Sequence, residues 1–360
     1  MSLNIAVIGA GIMGLSTAYK VMKDIPNCKV TVFFDKCSPE TTGNVAAGFI
    51  YPYPCGRPYA DGQDEPKLFG WFEKTMDWLK VLYKNPDAYK MGINPVSGYI
   101  MGGAVPEYAT KLFPDFREID PKAQSAFMIP QQPGHTFTTW QCDCSKYLPW
   151  LMDQIKAMGG RFIRHHINAF SDLKDFDLIV NCTGINANFI TNDKKMQPDR
   201  GQVIVVKAPW INHFYISGTD TYILPRMEEV VLGGTHQVGD YNLKENPEDT
   251  KKIWRECLKI CPSLKYGEIK EVRVGLRPGR SAIRIEVEEM DLDGKTVPVL
   301  HNYGHGGAGV TFHWGCAIEA SDALQTYLKK IKKTKNSSEL SIKDIIPMVN
   351  AVTLSCQSKL

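Results

Sequence analysis

The chain has 360 residues, 43% hydrophobic and 22% charged, a globular composition that excludes a disordered, collagen-like or coiled-coil protein. Its 42 basic and 39 acidic side chains leave a formal charge of +3, too little for a surface that coats nucleic acid. The length allows two domain-sized cores or one large α/β unit.

The first 35 residues read as strand, turn, helix and strand. Asn4-Ile5-Ala6-Val7-Ile8 is a short β-branched run suited to a strand buried on both faces. Gly9 to Gly14 is the turn, Leu15 to Met22 continues as a helix, and Lys29 to Phe34 is a second strand ending at Asp35. Residues 56–134 are rich in Pro, Gly and Tyr, with one amphipathic helix around Leu68–Tyr83. Asp177 to Asn181 is a further apolar strand of the parallel type. Residues 201–240 alternate apolar and polar positions, the pattern of antiparallel strands with one covered face. Residues 329–343 are basic and polar, and read as a helix end running into a loose tail. The reading is therefore α/β, a doubly wound unit interleaved with an antiparallel one.

Several function classes fall away. The ten cysteines show no CxxC pair, so neither a zinc site nor a disulfide framework is expected, and buried thiols are the ordinary reading. No apolar run of about 18 residues argues for a membrane span. The N-terminus lacks the basic start of a signal peptide.

Gly9-Ala10-Gly11-Ile12-Met13-Gly14 is a GxGxxG between a strand and a helix. Gly9 permits the tight turn, Gly11 leaves no side chain between backbone and pyrophosphate, and Gly14 lets the helix pack closely on the sheet. The free N–H groups and dipole at the helix start attract a diphosphate. Asp35, 21 residues past Gly14, is placed to accept the ribose hydroxyls. The fingerprint predicts a bound dinucleotide and leaves FAD and NAD open.

Further segments resemble the D-amino-acid oxidase and D-aspartate oxidase family of flavoproteins. They are AVIGAGIMGLSTA (6–18), Thr41-Thr42 with VAAGFIYP (45–52), VNCTG (180–184), RGQVIVVKAPW (200–210), VVLGGTHQVGDYNL (230–243), VGLRPGR (274–280) and HNYGHGGAGVTFHWG (301–315). HTFTTWQCDCSKYLPWL (135–151) and GGTHQVGDYNL look more like the D-aspartate branch. The resemblance implies FAD as cofactor and a Rossmann-type FAD-binding domain (1–55, 135–200 and 270–330) interleaved with an antiparallel-sheet substrate domain (56–134 and 201–269). A tail, 331–360, follows.

By motif, Asp35 and Lys36 would meet the adenine–ribose end of FAD. Thr42, Gly43 and Phe49 would lie along it, with a backbone contact near Ile167. Gly306, Gly307, Gly309, Val310 and Thr311 would wrap the flavin, their glycines letting backbone N–H groups approach the flat ring. The implied reaction moves the α-hydrogen of a D-amino acid to flavin N5 as hydride. Dioxygen is the final acceptor, hydrogen peroxide is released, and no side-chain base is needed. Arg277 in GLRP would fork the substrate carboxylate, and Tyr222 would hydrogen-bond it.

An acidic substrate needs a second cation. Mammalian-like D-aspartate oxidases carry arginine where this chain has His236, and another in a loop that here (residues 215–220) holds none. His236 is thus either a second carboxylate partner or a histidine without ligand contact. Arg226, Arg280 and His213 are near in sequence, with nothing to place them in the pocket. The expectation is oxidation of D-aspartate, and of D-glutamate as a further candidate, with weaker D-aspartate affinity than an arginine-bearing relative. Neutral D-amino acids, an NAD-linked dehydrogenase and a silent flavin-binding protein are the alternatives. The chain ends Ser358-Lys359-Leu360, an address read by the peroxisomal import receptor, which implies the peroxisome matrix. Metal, nucleic acid and membrane are not expected as partners.

Overall fold

Leu3–Ile8 is buried along its last four residues, and this run is the central strand of a parallel ladder. The structure, a computed structural model, describes residues 2–52, 65–102, 109–120, 134–218 and 220–356, and for Glu65, Ala109 and residues 334–356 the backbone alone. Among the described residues fourteen strands form one sheet. In chain order they are β1 (Leu3–Ile8), β2 (Cys28–Phe34), β3 (Ile93–Met101), β4 (Arg117–Glu118), β5 (Gly134–Cys142), β6 (Arg161–Arg164) and β7 (Leu178–Asn181). They continue with β8 (Gln197–Lys207), β9 (Phe214–Ser217), β10 (Thr221–Pro225), β11 (Val230–Gly233), β12 (Gln237–Val238), β13 (Glu268–Leu292) and β14 (Lys295–His305).

The spatial order is β4-β5-β3-β9-β10-β11-β8-β13-β14-β7-β1-β2-β6, with β12 against β8. From β14 through β7, β1 and β2 to β6 every pairing is parallel. From β14 back through β13, β8, β11, β10 and β9 every pairing is antiparallel. The long strand β13 joins the halves, pairing β8 along its first part and β14 along its second. A nucleotide-binding unit and an antiparallel one therefore interleave in a mixed α/β fold.

Three expectations change. β5, grouped by sequence with the nucleotide-binding portion, pairs antiparallel with β3 near the opposite edge, because its alternating burial suits a strand with one covered face. β8 does not alternate: nine consecutive residues are buried. One face packs under the helix Pro247–Ile260 with Ile204, Val206, Ile253 and Cys257, and the other joins the main core through Val203. The helix read as ending near residue 329 runs from Gly309 to Cys356, through the stretch expected to be a loose tail.

The helix Ile12–Asp24 lies against the helices Cys144–Ala157 and Gly309–Cys356. Gly315 brings the last of these onto the helix Glu65–Tyr83, where a Cβ would stand 2.3 Å from the Trp71 backbone. No helix among the described residues is long and apolar enough to cross a membrane, and no group of three or more metal-ligating side chains gathers among them.

Four buried histidines stay neutral. His313 donates Nδ1–H to the Val310 carbonyl at 2.7 Å and its Nε2 accepts from the Tyr147 hydroxyl at 3.0 Å. Burial pushes His135, His301 and His313 down to about 4 and His305 to about 3. In the unfolded chain such rings take up protons near pH 6.5, so below that pH the unfolded state binds more protons. The stability these groups contribute is complete above about pH 6.5 and is lost as pH falls through about 4. Thermal unfolding should give a Tm that is level above pH 7 and falls between about pH 6 and 4. A level Tm across that lower window would mean the rings are charged in the folded state.

Candidate active site

The turn after β1 is dictated by contact. Gly9 has φ 112°, and a Cβ there would lie 2.5 Å from the Cys182 carbonyl oxygen, while one on Gly14 would lie 1.9 Å from the Gly9 carbonyl oxygen. Both glycines are therefore packing residues. Gly11 is different, since a Cβ there would meet nothing within 4 Å. It faces open space at the N-terminus of the helix Ile12–Asp24, whose first N–H groups have no side-chain cap and point their dipole outward.

That space is one continuous cavity of about 830 Å³. Its lining begins at Gly9, Gly11, Asp35 and Lys36, continues past Thr42, Gly43 and Ile167, and reaches Tyr222, Arg277, Gly306, Gly307, Gly309 and Val310. Asp35 follows β2 and Arg277 lies on β13, four strands away in the sheet order, or about 19 Å at the usual strand spacing. The cavity's shape thus suits an extended ligand lying across the strand ends. Gly14, Phe49 and Thr311 do not line it. Phe49 is buried with its ring 4.7 Å from that of Phe214, and Thr311 is buried with its hydroxyl 3.5 Å from the Tyr51 N–H.

At the β13 end, Arg277 sits opposite Asp199 in the β13–β8 register. Its guanidinium lies on Gly201, where a Cβ would come within 2.6 Å of NH2. NH1 donates to the Thr235 carbonyl at 2.9 Å and lies 3.4 Å from Asp199 Oδ2. The other guanidinium N–H groups have no carbonyl or carboxylate partner among the described residues. Tyr222 lies across Gly233 and Gly234, where a Cβ would come within 2.0 and 2.7 Å of its ring and hydroxyl. Burial pushes the Tyr222 phenol up, against the opposing effect of the Arg277 charge, so Tyr222 keeps its proton and can donate it to an anion. Two buried polar atoms of the lining, Asn302 Oδ1 and His305 Nε2, have no hydrogen-bond partner among the described residues.

His236, which the sequence left as either a second carboxylate partner or a histidine without ligand contact, is not part of this lining. It extends toward solvent and meets Asp199 Oδ2 through Nδ1 at 2.7 Å. Three more cations are occupied elsewhere. Arg226 holds the Ala46 and Ala47 carbonyls and Asp143, Arg280 holds Asp193 at 2.8 Å, and His213 rests on the Ser97 carbonyl at 3.2 Å. Asp199, Gly201, Thr235 and the Gly233-Gly234 pair were not singled out by sequence. The signal available was an acid and a glycine, Asp199 and Gly201, just ahead of the apolar run Val203–Val206 in one strand.

The sequence profile of the FAD dependent oxidoreductase family matches residues 4–323. Human D-aspartate oxidase is 39% identical over 326 residues, spanning 88% of this chain and 93% of that one. The D-amino acid oxidase of Dugesia ryukyuensis is 32% identical over 343 residues, spanning 92% and 100%. Among solved structures, iminodiacetate oxidase from Chelativorans sp. BNC1 has a TM-score of 0.71 at 16% identity, covering 89% of this chain and 95% of that one, a likeness of fold. The chain belongs to the FAD dependent oxidoreductases. Within them it is a member of the D-amino-acid oxidase and D-aspartate oxidase family, with FAD as cofactor, which sets aside the NAD-linked alternative.

The residues present fit FAD. Gly11 leaves the helix start bare, and the unpartnered Asn302 and His305 atoms give a polar cofactor something to bond. Two glycine substitutions should separate space from packing. Gly11→Val should fold with a Tm near that of wild-type apoprotein and lose most of its FAD, read as visible absorbance per protein. Gly14→Ala should lower the apoprotein's Tm itself, by overpacking worth about 1–3 kcal/mol. Full FAD occupancy in Gly11→Val would refute the assignment of that space.

Proposed function

We propose that the chain catalyses FAD-dependent oxidative deamination of acidic D-amino acids, D-aspartate first and D-glutamate second, giving 2-oxo acids, ammonia and hydrogen peroxide. The observation that carries this reading is a guanidinium and a protonated phenol, Arg277 and Tyr222, converging beside the Gly306–Gly307 turn in the FAD cavity. A planar carboxylate matches the guanidinium fork, and the Tyr222 hydroxyl can donate to the same group. Bound FAD supplies the oxidation, accepting hydride from the substrate Cα and passing two electrons to dioxygen. With the carboxylate held on one side, Arg277 and Tyr222 orient Cα and restrict its approach.

Asp35 and Glu40 are the only carboxylates among the described lining residues. Both belong to the segment that follows β2, where Asp35 faces His166 and Glu40 faces Arg164. Asp199, the carboxylate beside Arg277, does not line the cavity, so the substrate amine must arrive deprotonated or lose its proton to water. Backbone N–H groups of Gly306, Gly307 and Gly309, at the start of the long last helix, place positive potential where the cofactor gathers negative charge. Water then hydrolyses the released imino acid.

Support for an acidic substrate is the 39% identity to human D-aspartate oxidase. A neutral D-amino acid is the second reading, favoured by one fact: Arg277 is the only arginine among the described lining residues. Oxygen uptake on D-aspartate, D-glutamate, D-alanine and their L-isomers decides between them. We expect D-aspartate to lead and the L-isomers to be inert. D-alanine turning over faster would select the second reading. Arg277→Ala should cut kcat/KM by about 2–5 kcal/mol, roughly 30-fold to several-thousand-fold, with FAD absorbance retained. Gly201→Ala should produce a similar loss by displacing the guanidinium. Unchanged kcat/KM in Arg277→Ala would overturn the anchor.

Ser358-Lys359-Leu360 lie outside the described residues, and we propose that they direct the chain to the peroxisome matrix. A fluorescent protein fused ahead of the chain should appear in catalase-positive puncta and become diffuse when the three residues are removed. Unchanged puncta would refute the address.

A further inference from the structure

Asp199 and His236 take no part in the reaction described above, yet both are tied to its anchor. Asp199 is a carboxylate 7% exposed on β8, facing Arg277 across the β8–β13 pair. Its Oδ2 is shared between His236 Nδ1 at 2.7 Å and Arg277 Nη1 at 3.4 Å, and its Oδ1 is buried with no hydrogen-bond partner among the described residues. His236 is 44% exposed and faces solvent. The three groups form a line from solvent to the cavity: imidazole, carboxylate, guanidinium.

Resting on the reading of Arg277 as carboxylate anchor, we propose that His236 acts through Asp199 as a positioning pair that makes the cavity's affinity for carboxylates depend on one proton. With His236 neutral, the Asp199 charge is balanced by Arg277, and an incoming carboxylate competes with Asp199 for the same guanidinium. With His236 protonated, the line carries one net positive charge. Asp199 is then held by the imidazolium at 2.7 Å, and Arg277 is released toward the ligand. Histidine is the side chain that ordinarily changes charge between about pH 5 and 8.

The neighbouring groups do not compete for this role. On β8, Arg200 is buried and engaged by Asp249 at 3.2 Å, with Asp240 at 3.8 Å. Asp249 belongs to the helix Pro247–Ile260, and Asp240 to the loop after β12. On β10, Tyr222 is kept protonated by burial, and on β14, His305 is kept neutral by the same cause. β13 contributes Arg277 itself.

The holoenzyme tests this with propionate, a carboxylate without an amine to oxidise, titrated by the change in visible flavin absorbance across pH 5.5 to 8.5. Screening at a side chain this exposed limits the coupling, so wild-type Kd should rise about fivefold over that range along a single titration. His236→Gln should be level at the weak, high-pH value. His236→Arg, a permanent cation, should be level at the tight, low-pH value, and either variant alone decides if the other does not fold. A level wild-type profile, or a pH dependence retained in both variants, would overturn the proposal. Absence of propionate binding to wild type at every pH would overturn the Arg277 anchor as well, and so is distinguishable from failure of the proton linkage alone.

Discussion

A guanidinium in a confined cavity must be held firmly enough to stay and loosely enough to accept an anion. Arg277 meets both demands through β8. The absent Cβ of Gly201 gives the planar group a surface to lie on, and Thr235 and Asp199 restrain a single nitrogen. A fully satisfied arginine looks different in the same protein. Arg200, one residue before Gly201, is 1% exposed and bonds Gln202, Gln237, Asp249 and two loop carbonyls, leaving nothing for a ligand. Two arginines that share one sheet thus serve opposite ends, the one structural and the other available.

The cavity owes its shape to missing side chains of two kinds. Gly9 and Gly14 sit where backbone meets backbone, so that helix and strand can close up. Gly11 and Gly307 face the cavity instead, the first with nothing around its Cβ position and the second with the Arg277 stem 3.4 Å away. The first pair sets the direction of the helix dipole, and the second leaves the room in which that dipole acts. Around this space the mixed sheet puts its parallel half under the nucleotide fingerprint and its antiparallel half under Arg277 and Tyr222, with β13 as the common member.

The supply of cations bears on substrate choice. Arg226 and Arg280 are consumed by buried or half-buried carboxylates, His213 by a backbone carbonyl, and His236 by Asp199. Each is near the site in sequence and spent elsewhere in space. In this chain's site a carboxylate, Asp199, lies on the far side of the anchor, in line with a solvent-facing imidazole.

By itself the sequence determined the nucleotide turn, the strands flanking it, the interleaved α/β plan and the family. All of these are written in local spacing: three glycines in six residues, apolar runs of strand length, and motifs of fixed order. It misjudged β5 and β8, because burial depends on which face a distant element covers, as Pro247–Ile260 covers β8, and it ended the last helix too early. Only the tertiary structure decided which cations reach the cavity. His236 follows Thr235 directly, yet the Thr235 backbone carbonyl accepts from Arg277 while the His236 ring turns to Asp199 and solvent. Their partners lie on strands remote in the chain, and Asp199 meets Arg277 through the β8–β13 register rather than through any pattern along the sequence.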